Sequence, residues 1–469
     1  MRTYLFYDIE TTGLNKAFDQ VLQFAAIRTD LELKEIERYE LKVKLNPDVI
    51  PSPRAMITHH IGIEESLQGV SEYEAITQIH RWMNEPGTIS LGYNTLGFDD
   101  EFLRFSFYRN LLTPYTHQYA QQCGRMDLYP MAAIFFLFKN GVIKWPQIDG
   151  KSSLKLEQLN ICNQFFQGRS HDAMVDVEVT LELARRFYQE KETWEYALGY
   201  FNKHDDQERF SKWQQEFKSP FGQHKEALIL DGIFGSTQSF IASVLYLGES
   251  IPYPNQTLWL RLDTEKLSSA TEETLAENTW AVRKRWGEPG FILPPKDRFL
   301  SLLTAERKTL IEENKKWLMA RPEFLQKIVN YYKKFAYPDV PNADLDARLY
   351  LDSFFNPEEQ AFCRRFHQGA LKEKIKLVEG LKDSRIRKLA VRLLGRNFSD
   401  ALTESLKKEY GDYLVQLEGS NGEAIVDFRG NVKLGKMAAL EDIAKIREEG
   451  LIDAEQLGLL EGLVGYLKR

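Results

Sequence analysis

The sequence predicts an α/β domain over residues 1–190, a small β-rich module in the middle of the chain, and a helical remainder. Three observations predict this. Thr3–Glu10 alternates, with Tyr4, Phe6, Asp8 and Glu10 on one side and Leu5, Tyr7 and Ile9 on the other, the period of a strand. From Ala227 to about Leu262 the apolar runs LILDGIFG, FIASVLYL and TLWLRLD are β-like and separated by turn residues. From about Leu302 helical periods dominate.

The elements follow in chain order. Gln20–Arg28 and Glu40–Leu45 suit the second and third strands, and Ile89–Tyr93 is a short apolar segment before a polar loop. Glu101–Asn110 and Ala173–Phe187 have helical spacing, and Asp172 is placed to cap the second of these. Glu190–Lys225 is polar and reads as helix and linker. PDVPNAD (338–344) interrupts the helical region with two prolines and is a candidate boundary. A Gly-rich stretch near Gly419–Gly430 is the other interruption. A chain of 469 residues is too long for one ordinary core, so two or three domains are expected.

Bulk properties exclude some classes. With 43% hydrophobic and 28% charged residues, the balance is that of a soluble globular protein. No apolar run reaches the length of a membrane span, and the N-terminus enters Tyr4–Ile9 without a signal-peptide pattern. Cys123, Cys162 and Cys363 lack metal-ligand spacing and make no disulfide framework, so a reducing cytoplasm is the expected home. The formal net charge is −7, so an enzyme acting on nucleic acid would have to concentrate positive charge in a groove.

Asp8 and Glu10 in YDIETTG, Asp99 in LGYNTLGFDDEF, and His171 and Asp176 in SHDAMVD carry the functional reading. Two residues apart on a strand, Asp8 and Glu10 point to one face. Held together, two like charges cost stability unless something positive lies between them, and hard cations such as Mg²⁺ or Mn²⁺ take carboxylate oxygens. Thr11, Thr12 and Gly13 end the strand, and Gly13 would let a nucleotide approach the backbone. His171 and Asp176 are about 140° apart on a helical wheel, so the histidine belongs on the loop entering the helix. There, with an ordinary pKa near 6.5, it is a candidate general base. Taken singly each motif is weak. A D-x-E pair is commonly a solvated face, a histidine beside a helix start is common, and Asp99 alone could be a turn or cap residue. Their force lies in combination, each at the end of an element.

D-x-E, then N-x3-FD, then H-x4-D resembles the signature of the DEDDh exonucleases, which have a ribonuclease H-like fold. QFAAIRTD (23–30), LGYNTLGFDDE (91–101), FYRNLLTPY (107–115), SHDAMVDV (170–177), NADLDARLY (342–350) and the RNF after Gly395 are similar to the bacterial exodeoxyribonuclease I family, over roughly the first 400 residues. The resemblance implies a ribonuclease H-like exonuclease domain (1–190), an SH3-like middle domain with linker helices (191–340) and a helical C-terminal domain (341–469). It implies 3′→5′ hydrolysis of single-stranded DNA to 5′-mononucleotides, processively, in DNA repair and recombination. Asp8, Glu10 and Asp176 would bind two metal ions, Mg²⁺ with Mn²⁺ able to substitute, and Asp99 would act through a water. His171 would take the proton from the attacking water. Lys155, in SSLKLEQL, stands where relatives carry a phosphate-binding arginine, and lysine keeps the charge without the bidentate fork. Docking of the acidic C-terminal tail of single-strand-binding protein, a monomeric state and a cytoplasmic location are also implied.

Arg104–Arg125 mixes aromatic and basic residues, which can stack unpaired bases and follow phosphates. By resemblance Arg104, Tyr115 and Tyr119 line the strand path, with Glu10, Thr11 and Gly13 at the terminal nucleotide, whereas Phe105 and Tyr108 read as helix core. Lys372–Arg396 holds nine Lys/Arg against three acidic residues, and its excess predicts a DNA-facing wall over a merely solvated face. Two other functions compete. The same catalytic motifs serve a 3′→5′ exoribonuclease. A non-catalytic strand-binding protein on a nuclease fold would usually have lost a carboxylate, and here all four are present.

Overall fold

The computed structural model describes residues 1–213, 217–417 and 424–468. The Gly-rich stretch near Gly419–Gly430 lies partly outside them. By compactness the chain divides into two units, one of residues 1–125, 166–181 and 338–469, the other of residues 126–165 and 182–337. The division runs through the segments read from sequence, although its boundary at Tyr337/Pro338 falls at the start of PDVPNAD.

The first unit is built on a sheet whose strands are β1 (Thr3–Thr11), β2 (Val21–Thr29), β3 (Glu35–Lys42), β4 (Thr88–Gly92) and β5 (Gly124–Asp127), in the order β3-β2-β1-β4-β5. β1 pairs antiparallel with β2 and parallel with β4, so it is central. β2, VLQFAAIRT, is buried at every position, which its near-continuous apolar run requires. β3, EIERYELK, is the edge strand and is mostly exposed. The third strand therefore starts five residues earlier than the expected Glu40–Leu45. Its charged first half looks like surface in sequence because an edge strand is surface, and such charges discourage pairing with another chain. Helices α1 (Glu72–Met83) and α2 (Asp99–Arg109) add Ile76, Ile79, Phe102, Leu103 and Phe107 to a core with Leu5, Tyr7, Ile9 and Phe24.

The C-terminal helices of this unit build two further cores. Phe366, Val378, Leu389 and Leu394 pack with Phe105 and Tyr108 of α2, the two residues read as helix core. Ile443, Leu460 and Leu463 pack with Leu22, Leu45 and Met56.

The second unit carries the β-rich middle of the chain. Strands Glu226–Leu230, Ile241–Glu249, Thr257–Arg261, Ala281–Lys284 and Phe291–Leu293 form an antiparallel sheet over Ile229, Val244, Trp259 and Ile292. GIFG, read as strand, is a 3₁₀ turn at Gly232–Phe234, where Asp231 accepts the Ile233 N–H and bends the chain.

Candidate active site

Three separate stretches of the first unit bring the acidic residues together. β1 carries Asp8 and Glu10, half-buried on one face. The carboxylate of Asp99, at the start of α2 and buried, accepts the Ile9 N–H at 3.3 Å, between the two strand carboxylates. The third stretch is the loop and first turn of helix α3 (Ala173–Tyr188). Asp172 accepts the Met174 N–H at 3.0 Å, a capping bond that fixes where α3 begins. His171, just before it, has φ 63°, a left-handed conformation that turns the chain sharply. Its N–H donates to Asp176 at 3.3 Å, so the loop folds back over the first turn. Ligating atoms of Glu10, His171 and Asp176 lie within 4.8 Å of one another.

The electrostatics follow from this crowding. Burial first, then Asp99, Asp176, Glu10 and Asp172, raise Asp8 well above the usual carboxylate range. Glu10 is pushed up to about 9 by burial and then by Asp176, Asp99 and Asp172. A site that makes its own carboxylates take up protons is short of positive charge. Hard oxygen donors with one imidazole beside them suit a divalent cation, so the donor set fits a metal. Asp172, which the sequence reading treated only as a cap, is a fifth source of negative potential.

The turn after β1 is fixed by side chains of its own. Thr11 Oγ1 donates to the Gly13 carbonyl at 2.8 Å and Thr12 Oγ1 to Asp19 at 3.1 Å. Asp19 also accepts the Asn15 N–H at 2.7 Å. A Cβ on Gly13 would meet that carboxylate at 2.5 Å. The glycine is therefore required by the turn's packing, whatever it also offers a nucleotide. Arg109 donates to the Ala17 and Asp19 carbonyls and to Glu72, and Asp427 accepts from Asn15 at 3.0 Å, so α2 and the C-terminal region both hold the turn.

His59, in MITHHIG, was missed by the sequence reading. Burial lowers its imidazole to about 4, opposed by a Thr11 backbone contact and reinforced by His60 and His171. Nδ1 accepts the Ile61 N–H at 2.9 Å. The only signal in the sequence is a histidine pair after an apolar run, which carries no chemistry by itself.

The expected strand-contacting residues separate. Tyr119 is 70% exposed and Tyr115 half-buried. Arg104 is 5% exposed and bonded to Asp100, with its guanidinium 5.6 Å from the Tyr115 ring. Asp100 also binds His117 at 2.8 Å and Arg125 at 2.7 Å. Arg104 thus belongs to an interior ion cluster that supports the Tyr115–Tyr119 segment, and as placed it does not present its charge to a phosphate. Lys155 lies in the other compact unit, exposed immediately before the helix Leu156–Asn163.

In the basic wall expected over Lys372–Arg396 the four arginines are paired, while Lys372, Lys376 and Lys382 are exposed. Arg385 pairs with Glu359, Arg387 with Glu409, Arg392 with Asp344, and Arg396 with Asp48 and Asp346. Carboxylates outside the stretch thus answer its four arginines, which tie elements together, and the lysines carry what remains of the local excess. Among the described residues Lys372, Lys376 and Lys382 have no ion pair of this kind, and these exposed lysines are what remains of that expectation.

A family model described as "Exonuclease" matches residues 5–184, and one described as "Exonuclease I C-terminal domain" matches residues 343–469. Exodeoxyribonuclease I of Escherichia coli strain K12 is 29% identical over 437 residues, covering 88% of this chain and 90% of that protein. Exodeoxyribonuclease I of Buchnera aphidicola subsp. Schizaphis graminum is 26% identical over 437 residues, covering 88% of this chain and 87% of that protein. The crystal structure of E. coli exonuclease I in complex with a dA16 oligonucleotide matches with a TM-score of 0.82 at 24% identity, covering 100% of this chain and 99% of that one. At that identity the likeness shows the fold, an α/β exonuclease domain with an exonuclease I C-terminal domain.

Proposed function

We propose, from the premise that this chain belongs to the exonuclease I family, that it is a 3′→5′ exonuclease that hydrolyses single-stranded DNA to 5′-mononucleotides. The observation that carries the reading is the convergence of Asp8, Glu10, Asp99 and Asp176 with His171, in a site whose burial and crowding of carboxylates hold Asp8 and Glu10 above the usual carboxylate range.

Asp8, Glu10 and Asp176 would hold two divalent cations, Mg²⁺ with Mn²⁺ able to substitute, and Asp99 would act through a water. Such a pair supplies Lewis-acid stabilisation of the attacking and leaving oxygens in an in-line displacement. His171 acts as general base and takes a proton from the attacking water. Its left-handed backbone and its N–H bond to Asp176 fix where the imidazole starts. Glu10 and the turn Thr11–Gly13 receive the terminal nucleotide, and the hydrogen bonds that Asp19 and Asp427 accept and Arg109 donates keep that turn from moving during the reaction. Tyr119 and Tyr115 offer ring faces to unpaired bases, and Arg104 positions Tyr115. Lys155 would meet a backbone phosphate.

The E. coli and Buchnera relatives are named exodeoxyribonucleases, and the E. coli enzyme was crystallised with a DNA oligonucleotide, which favours DNA over RNA here. We further propose that the chain is organised as domains 1–190, 191–340 and 341–469, with an SH3-like middle. It would act processively in DNA repair, dock the acidic tail of single-strand-binding protein, and work as a monomer in the cytoplasm. No described helix is long and apolar enough to cross a membrane. Replacing Asp8 or Asp176 by alanine is expected to abolish hydrolysis while single-strand binding survives. Near-normal turnover in either variant would remove those residues from the mechanism.

A further inference from the structure

The helix α4 (Pro322–Lys334), in the second compact unit, borders a surface groove of about 500 Å³ lined by Lys327, Asn330, Tyr331, Lys334 and Phe335. The protein as a whole is acidic, at −7, yet this lining holds two lysines and no carboxylate. Lys327, Tyr331 and Lys334 follow the i, i+4, i+7 spacing of one helical face, so the two lysines leave the helix about 10 Å apart along its axis with a tyrosine between them. That ring is 39% exposed. The aromatic surface continues beyond the helix. Phe335 lies 5.5 Å from Tyr337, which is 55% exposed and itself 5.2 Å from Tyr253. The guanidinium of Arg283 sits over Phe335 at 4.6 Å and adds a further positive group.

We propose that this groove is a second contact for single-stranded nucleic acid, in which bases stack on Tyr331 and Tyr337 and Lys327 and Lys334 meet the flanking phosphates. The proposal rests on the single-strand reading of the active site and adds to it a binding surface on the other compact unit. Alternation of cation and ring along one helix face is the pattern that follows a charged backbone carrying planar bases. A solvated helix face has no use for exposed tyrosines, and an acidic peptide would use the lysines but leave the rings without planar partners. One ion pair opposes the reading, Lys327 with Glu272. Both partners are half-exposed, and a screened surface pair of this kind gives way to a phosphate at little cost.

The test uses the full-length protein in EDTA, so that binding is read without hydrolysis, with fluorescent dT30 as the probe over a range of salt. The double variant Lys327→Gln/Lys334→Gln and the single variant Tyr331→Ala change exposed side chains. Each is expected to bind dT30 at least about five-fold more weakly, the loss that one base–aromatic stack carries. The lysine variant should also lower the slope of log affinity against log salt by about 1.4, since each phosphate contact on a single strand contributes about 0.7. Hydrolysis of the dinucleotide dTpdT with Mg²⁺ should be unchanged, because it fills only the catalytic site. Unchanged dT30 affinity and salt slope would overturn the proposal. So would a variant that keeps dT30 binding but loses an oligo-aspartate peptide bound by the unaltered protein, which would make the groove a peptide site. Failure of the unaltered protein to bind dT30 at all would instead sink the single-strand reading on which the proposal stands.

Discussion

Replacing Glu10 by glutamine should stabilise the metal-free protein while abolishing its activity. In the folded chain the Glu10 carboxyl is pushed up to about 9 from an ordinary 4.5, by burial and by Asp176, Asp99 and Asp172. The folded state therefore holds a proton that the unfolded chain releases. Stability from this group is fully present below pH 4.5 and is lost as pH rises through about 9. At pH 7 the interval above the ordinary value is about 2.5 pH units, each worth about 1.36 kcal/mol, so the ionisable group costs the fold about 3 kcal/mol. Glutamine cannot ionise and escapes that cost. Glu10 keeps some contact with solvent, which makes this an upper limit. The melting temperature in EDTA at pH 7 should rise by up to roughly 5 °C. Adding Mg²⁺ should stabilise the unaltered protein and stabilise the variant less, because a carboxylate ligand is missing. A variant less stable than the parent in EDTA, or equally stabilised by Mg²⁺, would refute the reasoning that the site is an anionic cluster built for a cation.

Two further outcomes follow from other parts of the first unit. Arg396→Ala leaves Asp48 and Asp346 buried without their main counter-charge and should cost about 3–5 kcal/mol, read by urea denaturation at pH 7. Asp48 is held down to about 2 with Arg396 as the largest lowering influence, so the stability it contributes is present above its ordinary 3.8 and is lost as pH falls through about 2; the penalty of the variant should shrink in acid. Gly13→Ala drives a methyl group to 2.5 Å from the Asp19 carboxylate, should destabilise by about 1–3 kcal/mol, and should slow turnover on a dinucleotide; the double variant with Asp19→Gly would recover part of both losses.

How much was legible in the sequence depended on whether the partners were local. Period-two alternation in Thr3–Glu10 put Asp8 and Glu10 on one face without reference to anything else, and the structure has them so. The start of α3 at Ala173 was readable because Asp172 caps it through its own neighbour, Met174. Arg104 and the basic stretch Lys372–Arg396 were not readable in the same way. Arg104 is answered by Asp100, one helical turn before it, and the four arginines of the basic stretch by Asp48, Asp344, Asp346, Glu359 and Glu409, which lie outside the stretch, and a charge count within one segment does not show which of its charges are paired. Gly13 shows a related limit. Its need for a missing side chain was visible in the motif, but the reason, the Asp19 carboxylate folded against it, is a feature of the closed turn. The compact units escaped the sequence because residues 338–469 join the first 125 to make one of them.

The central claim is direction, strandedness and sugar in one enzyme, and a single digestion tests all three. A 5′-labelled DNA strand, the same strand in duplex and an RNA of the same sequence are incubated with the protein and Mg²⁺, with EDTA as control. The account predicts that the labelled single strand shortens from its unlabelled 3′ end through a descending series of labelled products, that the duplex and the RNA stay intact, and that EDTA stops the reaction. Release of the labelled 5′ nucleotide as the first product, or digestion of the RNA at a rate equal to the DNA, would contradict it.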